Sequence, residues 1–145
     1  MSELALLDTS VWARLRDGRI AGPAAEALLE RLERGELAVT QPLLLEMRYS
    51  ARDARDFRLL AEELDALPLL ALDHAATTRA LEAQAQLAAD PAVSHRVRPI
   101  DLLVAAVAER YAAAVVHYDA GYDLLADRTD LEFRSVWAAD RGAIR

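Results

Sequence analysis

Short, unbroken apolar runs alternate along this chain with longer stretches whose apolar residues recur every three to four positions. The first kind suits strands buried on both faces, and the second suits amphipathic helices. Residues 4–7 form such a run, ended by Asp8. Thr9 or Ser10 can then cap a helix reaching about Arg16. Gly22-Pro23 opens a predicted helix over 22–34, and Gly35 is suited to end it. A brief strand is expected at 37–39. Thr40 can cap a helix to about Ala51, with Pro42 in its first turn. Phe57, Leu60, Leu64 and Leu67 lie at helical spacing and predict a helix over 53–67, stopped by Pro68.

The second half repeats the alternation. Residues 69–72 read as a strand, and Asp73 as the cap of a helix over 74–88. An irregular stretch, 89–99, follows. The nearly all-apolar segment 100–111 reads as a buried helix. A strand at 113–116, a short helix at 119–126 and an edge strand at 132–136 complete the pattern. Such alternation predicts an α/β fold, a central mostly parallel sheet flanked by helices on both sides. No linker or repeat divides it, so residues 1–145 are expected to form a single domain. No apolar run approaches the ~18 residues needed to span a bilayer. The first ten residues carry no basic export segment, so the cytoplasm is the expected compartment.

Composition narrows the chemistry. The chain has 145 residues and is 54% hydrophobic, enough for a substantial core. Cys is absent, which excludes disulfides, zinc–thiolate sites and cysteine nucleophiles. All 17 basic residues are Arg. Without Lys, P-loop phosphate binding, Schiff bases and lysine-assisted aspartyl-phosphate chemistry are excluded. Against 24 acidic residues the net charge is −7, a poor balance for non-specific nucleic-acid binding unless some acids hold a cation.

Ligands of open α/β sheets bind at the carboxyl ends of the strands. Asp8 ends the first predicted strand, and Asp119 follows the strand at 113–116. Asp101 stands in the first turn of the apolar helix, and Glu46 sits among Leu43, Leu44, Leu45 and Met47. Each has a local explanation too: a cap for Asp8, the helix dipole for Asp101, a solvated face for Glu46, a turn for Asp119. Together they would make a like-charged cluster that is stable only with cations, and hard oxygen donors favour Mg²⁺ or Mn²⁺.

These acids lie within LLDTSVW (6–12), PLLLEMRYSA (42–51), RPIDLLVAAVAER (98–110) and VVHYDAGYDLLA (115–126). In this order the four stretches resemble the motifs of PIN-domain ribonucleases and, among these, the VapC-type toxins of bacterial toxin–antitoxin pairs. The resemblance runs from Leu4 to about Val136 and implies a PIN-like fold. Asp8, Glu46, Asp101 and Asp119 match the family's four acids, which implies catalytic, metal-holding roles, with Asp8 and Asp101 the firmest ligands. The resemblance implies that Ser10 lines the same site. Many relatives carry a further acid two residues after the fourth. This chain has Gly121 there, with Asp123 nearby but out of phase and expected, like Ser10, to support the site. One tightly held Mg²⁺ and a weaker second ion are therefore expected.

The resemblance implies endonucleolytic RNA cleavage by metal-activated water, leaving 5′-phosphate and 3′-hydroxyl ends, on RNA of the tRNA or rRNA class. It also implies a VapB-like antitoxin and a homodimer, for which the helix carrying Phe57 to Leu67 could supply the interface. RNA contacts must come from Arg. Arg48, Arg52 and Arg55 recur as a helical stripe near Glu46, Arg14, Arg16 and Arg19 flank the first helix, and Arg96 and Arg98 precede Asp101. The same stripe could instead pair with Asp53 or Asp56 on a solvated face. His95 and His117 are expected to pack or hydrogen-bond rather than catalyse, and Trp12 and Trp137 to belong to core or interface. A phosphatase of the haloacid-dehalogenase type would need an acid at Ser10 and a Lys. A DNA nuclease of the same fold, or a weakened RNA-binding or antitoxin-titrating module, remains an alternative.

Overall fold

A computed structural model describes residues 3–93 and 96–144. The expected contributions of His95 lie outside the described residues. Strands β1 (Ala5–Leu7), β2 (Leu37–Ala38), β3 (Ala114–His117) and β4 (Arg134–Trp137) form one sheet in the order β2-β1-β3-β4. All three pairings are parallel, with Leu6 opposite both Ala38 and Val115. β1 and β3 are buried throughout, which explains why their sequences are apolar without alternation.

Seven helices connect and flank these strands among the described residues: α1 (Thr9–Arg16), α2 (Gly22–Glu33), α3 (Gln41–Tyr49), α4 (Ala54–Asp65), α5 (His74–Ala89), α6 (Pro99–Arg110) and α7 (Gly121–Arg128). Local chemistry fixes several of their ends. Asp73 accepts the Ala76 N–H at the start of α5, and Gly35 takes φ +67° after α2, where a side chain would be strained. α6 is the central helix: Leu102 and Val104 through Ala108 are all buried.

Four expectations need correction. Residues 69–72 form no strand; Leu69 makes a single parallel bridge with Val39, beyond the end of β2. The last strand starts two residues later and ends one later than its apolar pattern suggested, because register with β3 sets its limits. Asp8, not Thr9 or Ser10, caps α1, and Thr40 precedes α3 with its hydroxyl turned to Gln41 instead of the helix.

The chain leaves β1 toward β2 on one side and returns as β3 on the other. The carboxyl ends of β1 and β3 therefore flank the point where strand order reverses, the usual place for a ligand crevice.

Candidate active site

Register brings the motifs together. The Asp8 N–H donates to the Val116 carbonyl at 3.0 Å, so the residues after β1 stand beside those after β3. Asp8 is fully buried, and its Oδ2 accepts from the Ser10 N–H (3.0 Å) and Ser10 hydroxyl (2.6 Å). Its Oδ1 accepts from the Tyr122 hydroxyl at 2.6 Å. The same phenol oxygen is 3.3 Å from Asp101 Oδ1. One Tyr122 proton thus serves two buried carboxylates. Burial and the two acids raise the Tyr122 pKa well above its ordinary value, so the phenol stays a donor.

Asp101 is 2% exposed. Burial pushes its pKa up to about 6, helped by Asp8 and Asp119 and opposed by Arg98. Arg98 reaches Asp101 Oδ1 at 2.9 Å through Nη2, and Glu46 Oε2 at 3.5 Å through Nη1. The other Glu46 oxygen accepts from the Thr9 hydroxyl at 2.7 Å. Asp119 Oδ1 accepts the Gly121 N–H at 2.8 Å.

Four carboxylates, two of them buried, therefore line one region, and Arg98 reaches two of them, Asp101 and Glu46. Among the described residues no three acids or histidines stand close enough to hold an ion as placed. Arg98 and the Tyr122 proton occupy the oxygens that would have to meet one. The donor set still fits a hard divalent cation: carboxylate oxygens alone, among them the buried Asp8 and Asp101.

A cavity of about 440 Å³ opens beside this cluster, walled by Ser10, Arg14, Glu46, Arg98, Tyr118 and Asp119. A second, of about 210 Å³, lies on the other side of Arg98 against Arg96, Asp101, Asp119 and Gly121. Arg14 is fixed in the wall, with its guanidinium donating to the Ser10 carbonyl and stacked 4.8 Å from the Tyr118 ring.

Other predicted site residues stand elsewhere. Asp123 turns to β4: its oxygens accept from the Ser135 hydroxyl and the Trp137 indole, each at 2.7 Å. Arg48 lies two positions from Glu46, which places it on another face of α3, and it pairs with Asp65 at 3.0 Å. Arg52 pairs with Asp56 at 3.5 Å. These two form a separate groove with Phe57 and Arg58. Tyr122 and Thr9 were not anticipated. The available signal for Tyr122 was its place in the first turn of the helix that follows Asp119.

Gly121 holds the position of the missing fifth acid. A Cβ there would lie 3.2 Å from Asp119 Oδ1 and 3.7 Å from Asp101 Oδ2, so any side chain at 121 points into the cluster. Gly121→Asp should therefore destabilise the chelated protein by about 1–2 kcal/mol through like-charge repulsion and crowding, and Mg²⁺ should remove most of that loss. Thermal melts in chelator and in Mg²⁺ check this; equal melting in chelator would contradict it.

The PIN domain model matches residues 5–128. Ribonuclease VapC18 of Mycobacterium tuberculosis is 33% identical over 139 residues, covering 95% of this chain and 97% of the relative. Ribonuclease VapC51 of the same organism is 42% identical over 123 residues, covering 83% and 84%. Among solved structures, DNA-bound VapBC from Salmonella typhimurium superposes with a TM-score of 0.73 at 17% identity, over 95% of this chain and all of that one. VapBC-5 from Mycobacterium tuberculosis gives 0.61 at 24% identity, over 93% and 100%.

Proposed function

This chain belongs to the PIN-domain family, and from that premise we propose that it is a VapC-type, divalent-metal-dependent endoribonuclease, the toxin of a toxin–antitoxin pair. The observation that carries the reading is the buried Asp8–Asp101 pair bridged by Tyr122 where the strand order reverses. Relatives 33% and 42% identical are named ribonucleases over nearly the same span.

Asp8 and Asp101, completed by Glu46 and Asp119, would hold Mg²⁺ or Mn²⁺, which when bound supplies a water of lowered pKa and counter-charge for the phosphoryl oxygens. The protein's own groups do the rest. Ser10 and Tyr122 fix the two oxygens of Asp8, so its orientation is set before any ligand arrives. Thr9 does the same for Glu46. Arg14 and Arg98 present positive charge to the cavity, where a backbone phosphate can take over the Arg98 contacts with Asp101 and Glu46. Hydrolysis places the water oxygen on phosphorus and breaks the P–O3′ bond. The leaving oxygen takes a proton, which yields a 5′-phosphate and a 3′-hydroxyl. With a net charge of −7, RNA is gripped by these local arginines and not by the overall field. Structured RNA of the tRNA or rRNA class is the proposed substrate.

The solved structures of similar fold are toxin–antitoxin complexes, which supports a VapB-like antitoxin partner. A homodimer and a cytoplasmic location follow the same reading. Among the described residues no helix is long and apolar enough to cross a membrane.

The test incubates wild type and Asp8→Asn with total cellular RNA, with Mg²⁺ or with chelator, and maps 5′ ends. Discrete cuts that need both the metal and Asp8 are expected. Identical patterns from both proteins would overturn the nuclease reading and favour the binding module that Gly121 suggests. Cleavage confined to added DNA would identify the alternative substrate.

A further inference from the structure

Asp119 is carried on a loop after β3 that a fully buried histidine holds from behind. The Asp119 backbone N–H donates to His117 Nδ1 at 3.1 Å, so this nitrogen must be unprotonated and the ring proton sits on Nε2. Nε2 is 2.6 Å from the Ser135 oxygen. Ser135 in turn donates to Asp123 Oδ1, and the Trp137 indole donates to Asp123 Oδ2. Every link has one consistent direction: Asp119 N–H to His117, His117 N–H to Ser135, Ser135 O–H to Asp123. The ring is clamped between Tyr122 and Trp137, with centroids 4.9 and 5.0 Å away. On the other flank, the Tyr118 N–H donates to the Ser10 hydroxyl at 2.9 Å, and that hydroxyl donates to Asp8. Two successive N–H groups of the loop are thus tied, one to the β1 acid and one to the edge strand.

We propose that His117 is a positioning residue, which with Ser135 and Asp123 aims Asp119 into the carboxylate cluster. Asp123 belongs to this support and holds no ion, which gives the out-of-phase acid a role. The proposal rests on reading the cluster as a divalent-cation site. Outer partners of metal ligands typically change affinity by 10–100-fold when removed.

The test measures Mn²⁺ affinity by electron paramagnetic resonance titration of free ion, beside thermal melts. His117→Leu removes the acceptor and should weaken Mn²⁺ binding about tenfold. His117→Asn restores an acceptor at the Nδ1 position and should recover most of it, although it fills the core no better than Leu. Ser135→Ala and Asp123→Asn, which lie outside the deep core, should weaken binding by smaller factors. Nitrogen-15 shifts of wild-type His117 should show the Nε2–H tautomer with or without Mn²⁺, a readout independent of any variant's folding. A folded Leu variant that binds Mn²⁺ like wild type, an Asn variant as weak as Leu, or an Nδ1–H tautomer overturns the proposal. Failure of wild type itself to bind Mn²⁺ overturns the cation-site reading, and this proposal with it.

Discussion

Asp101→Asn is expected to abolish cleavage and yet make the metal-free protein more stable. Asp101 is buried with a carboxyl pKa of about 6, against an ordinary 3.8. The charged form is therefore disfavoured in the folded state by about 2–3 kcal/mol, with the help of Arg98 already included. Below about pH 3 both folded and unfolded carboxyls are protonated, and the penalty vanishes. It grows as the pH rises and is complete above about 6. Asn keeps the shape without the charge. In chelator near neutral pH the variant should melt roughly 6–9 °C above wild type, and the gap should close by about pH 3. Mg²⁺ should raise the melting temperature of wild type far more than that of the variant. Cleavage should fall by ~10³-fold or more, beyond what outer-shell changes cause. In wild type, Mn²⁺ affinity should drop steadily below about pH 6 as protons compete for Asp101. A variant less stable than wild type at neutral pH would show that Arg98 outweighs burial at this carboxylate.

Tyr122→Phe should have the opposite sign. The phenol is buried, and it is the hydroxyl donor shared by Asp8 and Asp101. Phe fills the same volume but leaves Asp8 Oδ1 without that donor beside a second carboxylate. Such a loss destabilises by about 1–3 kcal/mol, and more where the acceptor is charged. Mg²⁺ should cancel much of the difference, because a cation meets the freed oxygens better than a phenol does. Melting in chelator and in saturating Mg²⁺ separates these cases. A deficit that is the same in both would mean that the phenol hydroxyl matters for core packing and not for carboxylate charge.

Much was legible from residues near one another in the chain. The apolar runs at 4–7 and 113–116 become the buried parallel strands Ala5–Leu7 and Ala114–His117, and Asp73 and Gly35 mark helix ends. The acids at the strand ends could be named because burying a lone carboxylate beside apolar sequence is expensive. These properties depend on period, capping and composition, which a few consecutive residues encode.

What meets what could not be read in that way. Residues 69–72 have strand composition but make only one bridge, since pairing depends on a neighbour of matching length and register. Arg48 and Glu46 are two apart in sequence yet on different faces, so one pairs with Asp65 and the other faces the cluster. Asp123 has the right chemistry for the site, but its helical phase delivers it to Ser135 and Trp137. Tyr122 gains its role because the parallel register of β1 and β3 sets Asp8 beside the loop that leads into α7. The sequence by itself determined the buried strands β1 and β3, the helices and the supply of acids. Only the tertiary structure decided which oxygens share a proton, because hydrogen bonds reach about 3 Å and depend on side-chain direction, which helix phase and strand register set across distant segments.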